Sequence, residues 1–218
     1  MKRNREDYIY IVLVRANTFL GKFARFFSKY QYTHIAVALD ESLEDFITFS
    51  RRKHYTPFDS GFMHETIDCY AYGKYDDVKL KVFKVPVSLE NKDKINKFIS
   101  RIENDKDYIF NIHSMATMSL IHGFRIYKAH NCMSFTAKIL QLTGVRMNKK
   151  YYRYNIKDMD LLLSDYLYKE DYFKKDKIYN KDYMRRVNFF SNLGMFFKLN
   201  GKLICRFLFK RRMIDDEE

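Results

Sequence analysis

A continuous apolar run near the start of the chain, YIYIVLV at residues 8–14, most strongly constrains the fold. A β-type run of this length predicts a buried strand. A second strand is predicted at 33–40, THIAVALD, and a third at 46–50, FITFS, forming a hairpin with the second. In VKLKVFKVPV at 78–87, lysines alternate with apolar residues, which predicts a half-exposed strand.

The segment NCMSFTAKILQLTG, from Asn131 to Gly144, predicts a helix that ends at the glycine, a favourable C-cap residue. Strands followed by this helix predict an α+β class. A chain of 218 residues is long enough for one well-buried domain with additions. The expected division is a core domain at 1–165 and a basic, Tyr- and Phe-rich extension at 166–218.

The composition restricts the function. With 7 Gly and 2 Pro, the chain has little material for phosphate-binding loops, and no nucleotide-binding glycine pattern occurs. The net charge of +13 favours a polyanionic partner such as nucleic acid, an anionic membrane or an acidic polymer. Because the basic residues are spread along the chain, nucleic acid is not the expected partner.

The three cysteines, Cys69, Cys132 and Cys205, are widely spaced. This pattern predicts neither a disulfide framework nor a zinc site, and it suits a reducing compartment. The apolar run at the N-terminus is too short for a signal peptide, and no apolar stretch is long enough to span a membrane. We therefore expect a cytoplasmic protein without a metal or another cofactor.

Cys132 is predicted in the first turn of its helix, where the helix dipole and the free N–H groups favour the nucleophilic thiolate. The same N–H groups are suited to stabilising an oxyanion. His34, at the start of an apolar strand, is the candidate base. Taken alone, each residue has an ordinary structural interpretation, a small buried hydrophobe and a hydrogen-bonded core histidine.

Four separated segments, YTHIAVALD, FITFSRR, GFMHE and HNCMSFTAKILQLTGV, resemble the circularly permuted branch of the NlpC-type papain-like superfamily. That branch includes YiiX-like proteins and lecithin–retinol acyltransferase-like enzymes, and Asn131, Cys132 and Phe135 are similar to the N-C-x-x-F pattern of the latter. The resemblance implies a permuted papain-like fold, with an antiparallel sheet or barrel packed against helices. It also implies a catalytic pair of Cys132 and His34.

The resemblance further implies a third polar residue on the strand after His34, which orients the imidazole. Thr48 and Ser50 share one face of that strand, and Thr48 is the first choice, with Ser50 next. Glu65, on the neighbouring strand, is the carboxylate alternative. Each of the three also has the interpretation of an ordinary polar strand residue.

Further residues are candidates for lining the site. Tyr8 and Tyr127 each offer a hydroxyl near the thiol, although packing is the competing interpretation for both. Asn131 directly precedes the cysteine. His130 lies two residues before Cys132 and is expected to point away from the thiol.

The C-terminal region 189–210 predicts a basic amphipathic helix. One interpretation is peripheral contact with an anionic membrane, and the other is a terminal helix that packs on the domain with its lysines outward. On the helical wheel, Arg206 falls with the lysines on the basic side. The opposite side carries apolar residues: Phe189, Phe190, Leu193, Phe196, Phe197, Ile204, Phe207 and Leu208.

These features predict a thiol-dependent hydrolase or acyltransferase that acts on an amide or ester bond of a peptide, amidated or lipid substrate through an acyl-enzyme. The alternative is a non-catalytic binding module of the same fold that recognises an anionic membrane or another polyanion.

Overall fold

A computed structural model describes residues 6–18, 21–22, 25–26, 29–71, 75–175, 182–210 and 213. It confirms the α+β class and contains a six-stranded antiparallel sheet in the order β4-β3-β2-β1-β5-β8. The sheet is not closed, so of the two predicted alternatives, a sheet or a barrel, the chain forms the sheet. The strands are β1 (Glu6–Arg15), β2 (His34–Ala38), β3 (Phe46–Arg51), β4 (Ser60–Glu65), β5 (Asp77–Ser88) and β8 (Leu167–Lys174).

Strand β1 lies near the centre of the sheet, as the apolar run predicts. It pairs with β2 on one side and with β5 on the other. Ile9, Ile11 and Leu13 enter the larger of two apolar clusters, whereas Val12 and Val14 enter the smaller cluster on the opposite face. A strand that is buried on both faces needs apolar residues at successive positions, which explains the unbroken run.

Helices cover the larger cluster, and a short parallel pair of strands, β6 (Ile109–Phe110) and β7 (Ala129–His130), precedes the cysteine helix. The helices are α1 (Leu89–Asn104), α2 (Ile112–Ala116), α3 (Met118–Ile121), α4 (Cys132–Thr143), α5 (Ile156–Leu162) and α6 (Phe189–Phe209). None of the helices in the described ranges combines the length and apolar character needed to cross a bilayer.

Helix α4 begins and ends where the sequence predicts. The Asn131 side chain accepts a hydrogen bond from the Ser134 N–H, and the Ser134 hydroxyl bonds back to the Asn131 N–H, forming a capping box. Gly144 ends the helix with φ +92°, a left-handed conformation that strains other residues. These two caps define the position of Cys132 in the first turn.

The expected division at residue 165 does not separate two sheets or layers. Strand β8 was assigned to the extension, but it pairs with β5 as the edge strand of the main sheet. Arg206 in α6 is also placed differently from the prediction, because its guanidinium is buried and donates to the carbonyls of Tyr127 and Lys128. The extension therefore packs on the core through both elements.

Candidate active site

Cys132 is the first residue of α4 and is only 5% exposed. The His34 imidazole is close enough to the Cys132 thiol for the two groups to interact electrostatically. The first N–H groups of a helix have no carbonyl partner within the helix and carry its positive dipole end. The sulfur therefore lies beside an imidazole and a set of backbone donors.

His34 is the first residue of β2, where it pairs with Val14 of β1. Its Nε2 lies 2.8 Å from Oε2 of Glu65. The ring packs against Tyr70, with 5.6 Å between the ring centroids. With Nε2 bonded to the carboxylate, Nδ1 is the ring nitrogen that remains for the thiol.

Glu65 ends β4 and is buried, yet its carboxylate accepts from three side chains. Besides His34, the Ser50 hydroxyl donates to Oε1 at 2.5 Å and the Tyr70 hydroxyl donates to Oε2 at 2.9 Å. Burial by itself raises the pKa of Glu65, but the charge of His34 and these hydrogen bonds outweigh it and lower the pKa. The carboxylate is therefore held in its charged form.

The charge of Glu65 also determines the protonation state of His34. Burial alone lowers the pKa of this imidazole, but the charge of Glu65 and the hydrogen bonds with Cys132 and Glu65 raise it to about 10. At neutral pH, His34 is therefore an imidazolium. The positive charge of this ring therefore lies beside the Cys132 sulfur.

The imidazole is oriented by the carboxylate alternative, Glu65, and not by Thr48. The Thr48 hydroxyl is fully buried and donates to the Ile35 carbonyl at 2.9 Å, so it supports the backbone of β2. Ser50 contacts the site only through Glu65. The assignment of Thr48 assumed that the orienting group lies on the next strand, whereas the longer Glu65 side chain reaches His34 from the strand beyond it.

The two predicted lining tyrosines lie elsewhere. Tyr8 is six residues along β1 from Val14, the partner of His34, a separation of about 20 Å at the rise of a strand. Its ring instead faces Lys84, with the ammonium 4.7 Å from the centroid. The Tyr127 ring packs under the ammonium groups of Lys128 and Lys210, near the end of α6.

Asn131 is fully buried and directly precedes Cys132 in the chain. Its Oδ1 caps α4, but its Nδ2 has no hydrogen-bond partner among the described residues. A buried donor without a partner costs about 1–3 kcal/mol, so such a group calls for a functional or structural explanation. Asn131 is thus both a cap of α4 and a free donor next to Cys132.

His130 points away from the dyad, as expected. It lies in an aromatic cluster, with its ring 5.4 Å from Phe49 and 6.1 Å from Tyr108, and its Nδ1 is 3.5 Å from the Ser134 hydroxyl. Burial, together with the positive charge of Lys138, lowers its pKa to about 3. This histidine is neutral at physiological pH and has no bond to the thiol among the described contacts.

Two residues near Glu65 escaped the sequence reasoning. Tyr70 donates to the carboxylate, and the Tyr183 hydroxyl donates to the Cys69 carbonyl at 3.5 Å, within the smaller apolar cluster that contains Tyr70. Tyr183 also holds the 51–55 loop, since its carbonyl accepts from the His54 N–H. With 18 tyrosines in the chain, no sequence pattern distinguishes these two.

Within the described part of the chain, no group of three or more His, Cys, Asp or Glu side chains is arranged to hold a metal ion. Comparisons with protein-family models, with curated proteins and with solved structures find no match to this chain. The function is therefore argued from the geometry of the site.

Proposed function

We propose that this protein is a thiol-dependent hydrolase or acyltransferase, with Cys132 as nucleophile, His34 as acid–base and Glu65 as the residue that orients the imidazole. One observation carries the proposal: the buried His34 ring, bonded to the Glu65 carboxylate at 2.8 Å, lies beside the Cys132 thiol. A nucleophile, a base and an orienting group within hydrogen-bond reach of each other form the recurring arrangement of covalent acyl-transfer catalysts.

The charges at the site suggest the order of proton transfers. The Cys132 thiolate attacks the carbonyl carbon of an amide or ester, and the carbonyl π electrons move to the oxygen. The imidazolium of His34 then donates its proton to the leaving nitrogen or oxygen as the bond to carbon breaks. A water, amine or alcohol next attacks the thioester, loses its proton to the neutral His34 and releases the thiolate.

The developing oxyanion requires hydrogen-bond donors. The N–H groups in the first turn of α4 suit this role, and the Asn131 Nδ2 adds a buried donor that has no partner among the described residues. Loss of one such donor in enzymes of this kind lowers the rate about 100- to 1,000-fold. We therefore assign the oxyanion site to the start of α4.

We also propose the circularly permuted papain-like fold for the core. The supporting features are a histidine on β2 that precedes the cysteine helix α4 in the chain, and the packing of that helix against an antiparallel sheet. The three cysteines are free, which suits a reducing, cytoplasmic location. The substrate class remains an amide or ester of a peptide, amidated or lipid molecule, and this chemistry requires no cofactor.

Thiol labelling tests the proposal without a known substrate. Cys69 provides an internal control, because it is 7% exposed, close to the 5% of Cys132. Burial and the nearby charge of Glu65 raise the pKa of Cys69 to about 12. In a Cys205→Ser background, which removes the exposed thiol, iodoacetamide is expected to alkylate Cys132 about 100-fold faster than Cys69 near neutral pH.

A burst of p-nitrophenol from p-nitrophenyl acetate, with one acetyl group found on Cys132 by mass spectrometry, would support acyl transfer. His34→Ala should abolish both the burst and the fast labelling. If Cys132 is labelled no faster than Cys69, and His34→Ala changes neither the burst nor the labelling, the proposed enzymatic function is excluded. The same fold as a binding module would then be the better assignment.

A further inference from the structure

Helix α6 is attached to the core along one narrow side. Leu199, Leu203 and Arg206 are its buried residues. The Arg206 guanidinium donates to the carbonyls of Tyr127 and Lys128, at 3.3 and 3.0 Å, and the Asn200 Oδ1 lies 2.7 Å from Nε2 of His113 in α2. The orientation of α6 about its axis is therefore defined by polar and apolar contacts together.

This orientation leaves most of the large apolar side chains of α6 in solvent. Phe190 is 79% exposed and Phe197 is 64% exposed. At the angular spacing of an α-helix, seven of the exposed apolar residues fall within an arc of about 100°, whereas the exposed Phe209 lies outside it. We call this set the α6 stripe: Phe189, Phe190, Leu193, Phe197, Ile204, Phe207 and Leu208.

Exposed apolar residues of α3 lie on the same flank. Leu120 is 78% exposed, and Ile121 is also exposed. These residues lie in the chain between His113, which bonds Asn200, and Phe124, whose ring is 5.8 Å from that of Phe207. The α6 stripe is thus an exposed apolar patch, and a patch of this kind on a folded chain indicates an interaction site.

The other flank of α6 is basic. Lys198 and Lys202 are exposed and lie next to each other on the helix, on the side away from α3. The whole chain carries a net charge of +13. A helix with an apolar face beside a basic face, lying along a surface, is the arrangement of interfacial membrane helices.

We propose that α6 docks on the surface of an anionic lipid bilayer, with the α6 stripe inserted at the headgroup boundary and Lys198 and Lys202, on the opposite side of the helix, adding to the positive charge that attracts the bilayer. Charge decides between a bilayer and a second copy of the chain. A second copy would bring two basic rows and two chains of +13 together, whereas anionic lipid neutralises both.

Sedimentation of the full chain with vesicles tests this proposal. Binding is expected to phosphatidylcholine vesicles that contain about 30% phosphatidylserine, and to weaken strongly without the anionic lipid. Phe190→Ser with Phe197→Ser should lower the partition about tenfold or more, since both side chains lose apolar burial in the lipid. Lys198→Ala with Lys202→Ala should lower it about fivefold for each lysine.

A matched control removes exposed apolar side chains elsewhere. Leu89 and Leu161 are exposed in α1 and α5, so Leu89→Ser with Leu161→Ser should leave vesicle binding unchanged. The proposal is overturned if the wild-type chain does not bind the anionic vesicles, or if the phenylalanine variant binds as well as the control variant. A dimer in light scattering that the phenylalanine variant abolishes would assign the face to a second copy instead.

Discussion

Two buried histidines lie close to the start of α4 and are held in opposite protonation states. His34 lies beside the Cys132 thiol, and its pKa is raised to about 10. His130, two residues before Cys132, has a pKa lowered to about 3. Burial lowers the pKa in both cases, so burial cannot explain the difference.

The difference lies in the partners. Around His34, the buried Glu65 carboxylate supplies a negative charge 2.8 Å from the ring. Around His130, the neighbours are aromatic rings and a serine hydroxyl, and the cations of Lys138, Arg125 and Arg101 add repulsion. One imidazole is therefore charged beside the Glu65 carboxylate, and the other is a neutral packing element.

The largest expected effect comes from replacing each of the two histidines separately. His34→Gln should slow iodoacetamide labelling of Cys132 about 100-fold, because the cation beside the sulfur is lost. It should also cost about 3–5 kcal/mol in urea unfolding, since the Glu65 charge is left buried without its partner. His130→Phe should change neither property by more than a small factor. Equal effects of the two substitutions would contradict the comparison.

Glu65→Gln should have the next largest effect. The amide keeps the size of the side chain but removes its charge, so the pKa of His34 falls from its raised value. Labelling of Cys132 at neutral pH should slow about tenfold or more. An NMR titration of the His34 ring measures the shift directly, and an unchanged titration would show that Glu65 does not set the charge of His34.

The pH dependence of stability separates the two histidines further. His130 is neutral in the folded state but takes up a proton on unfolding below pH 6.5. Its contribution to the free energy of unfolding is therefore present above pH 6.5 and is lost as the pH falls toward 3. The slope is at most about 1.4 kcal/mol per pH unit. His130→Phe should flatten unfolding stability between about pH 6.5 and 4.5, above the range where Glu65 also titrates. An identical acid limb in both proteins would argue against a buried neutral imidazole.

His34 should change the free energy of unfolding at alkaline pH. Its folded pKa is raised, so its contribution is fully present below about 6.5 and is lost as the pH rises through about 10. Glu65→Gln should therefore reduce the loss of unfolding free energy between about pH 6.5 and 10, whereas His130→Phe should not. Chemical unfolding at intervals from pH 4.5 to pH 10 measures the acid and the alkaline change in stability, and an alkaline loss that stays steep in Glu65→Gln would exclude the ion pair as its cause.

The smallest effects concern the hydroxyls of β3. Thr48→Val removes one buried hydrogen bond to the Ile35 carbonyl and should cost about 1 kcal/mol, with no change in thiol labelling. Ser50→Ala removes a donor to Glu65 and should change labelling of Cys132 about two- to threefold. A tenfold loss of labelling in Thr48→Val would restore Thr48 as the residue that orients His34.

Local patterns predicted much of the fold. Local sequence predicted three features: the apolar run of β1, the alternating lysines of β5 and the Gly144 cap. Each of them depends on a residue and its near neighbours in the chain. Strand β8 was missed as part of the sheet because LYKEDYFK is an exposed edge strand without an apolar face. The helical wheel predicted the two sides of α6 but not that Arg206 faces the core.

The sequence by itself determined which residues can supply the chemistry, since a helix cap places Cys132 at a positive helix end and a strand start holds His34 rigidly. Only the tertiary structure decided which group orients the imidazole and which histidine is charged. Glu65 reaches His34 from two strands away, through a hairpin register and a side-chain direction that no local pattern encodes. Protonation depends on the neighbours that packing brings within a few ångströms, and these are distant in the chain.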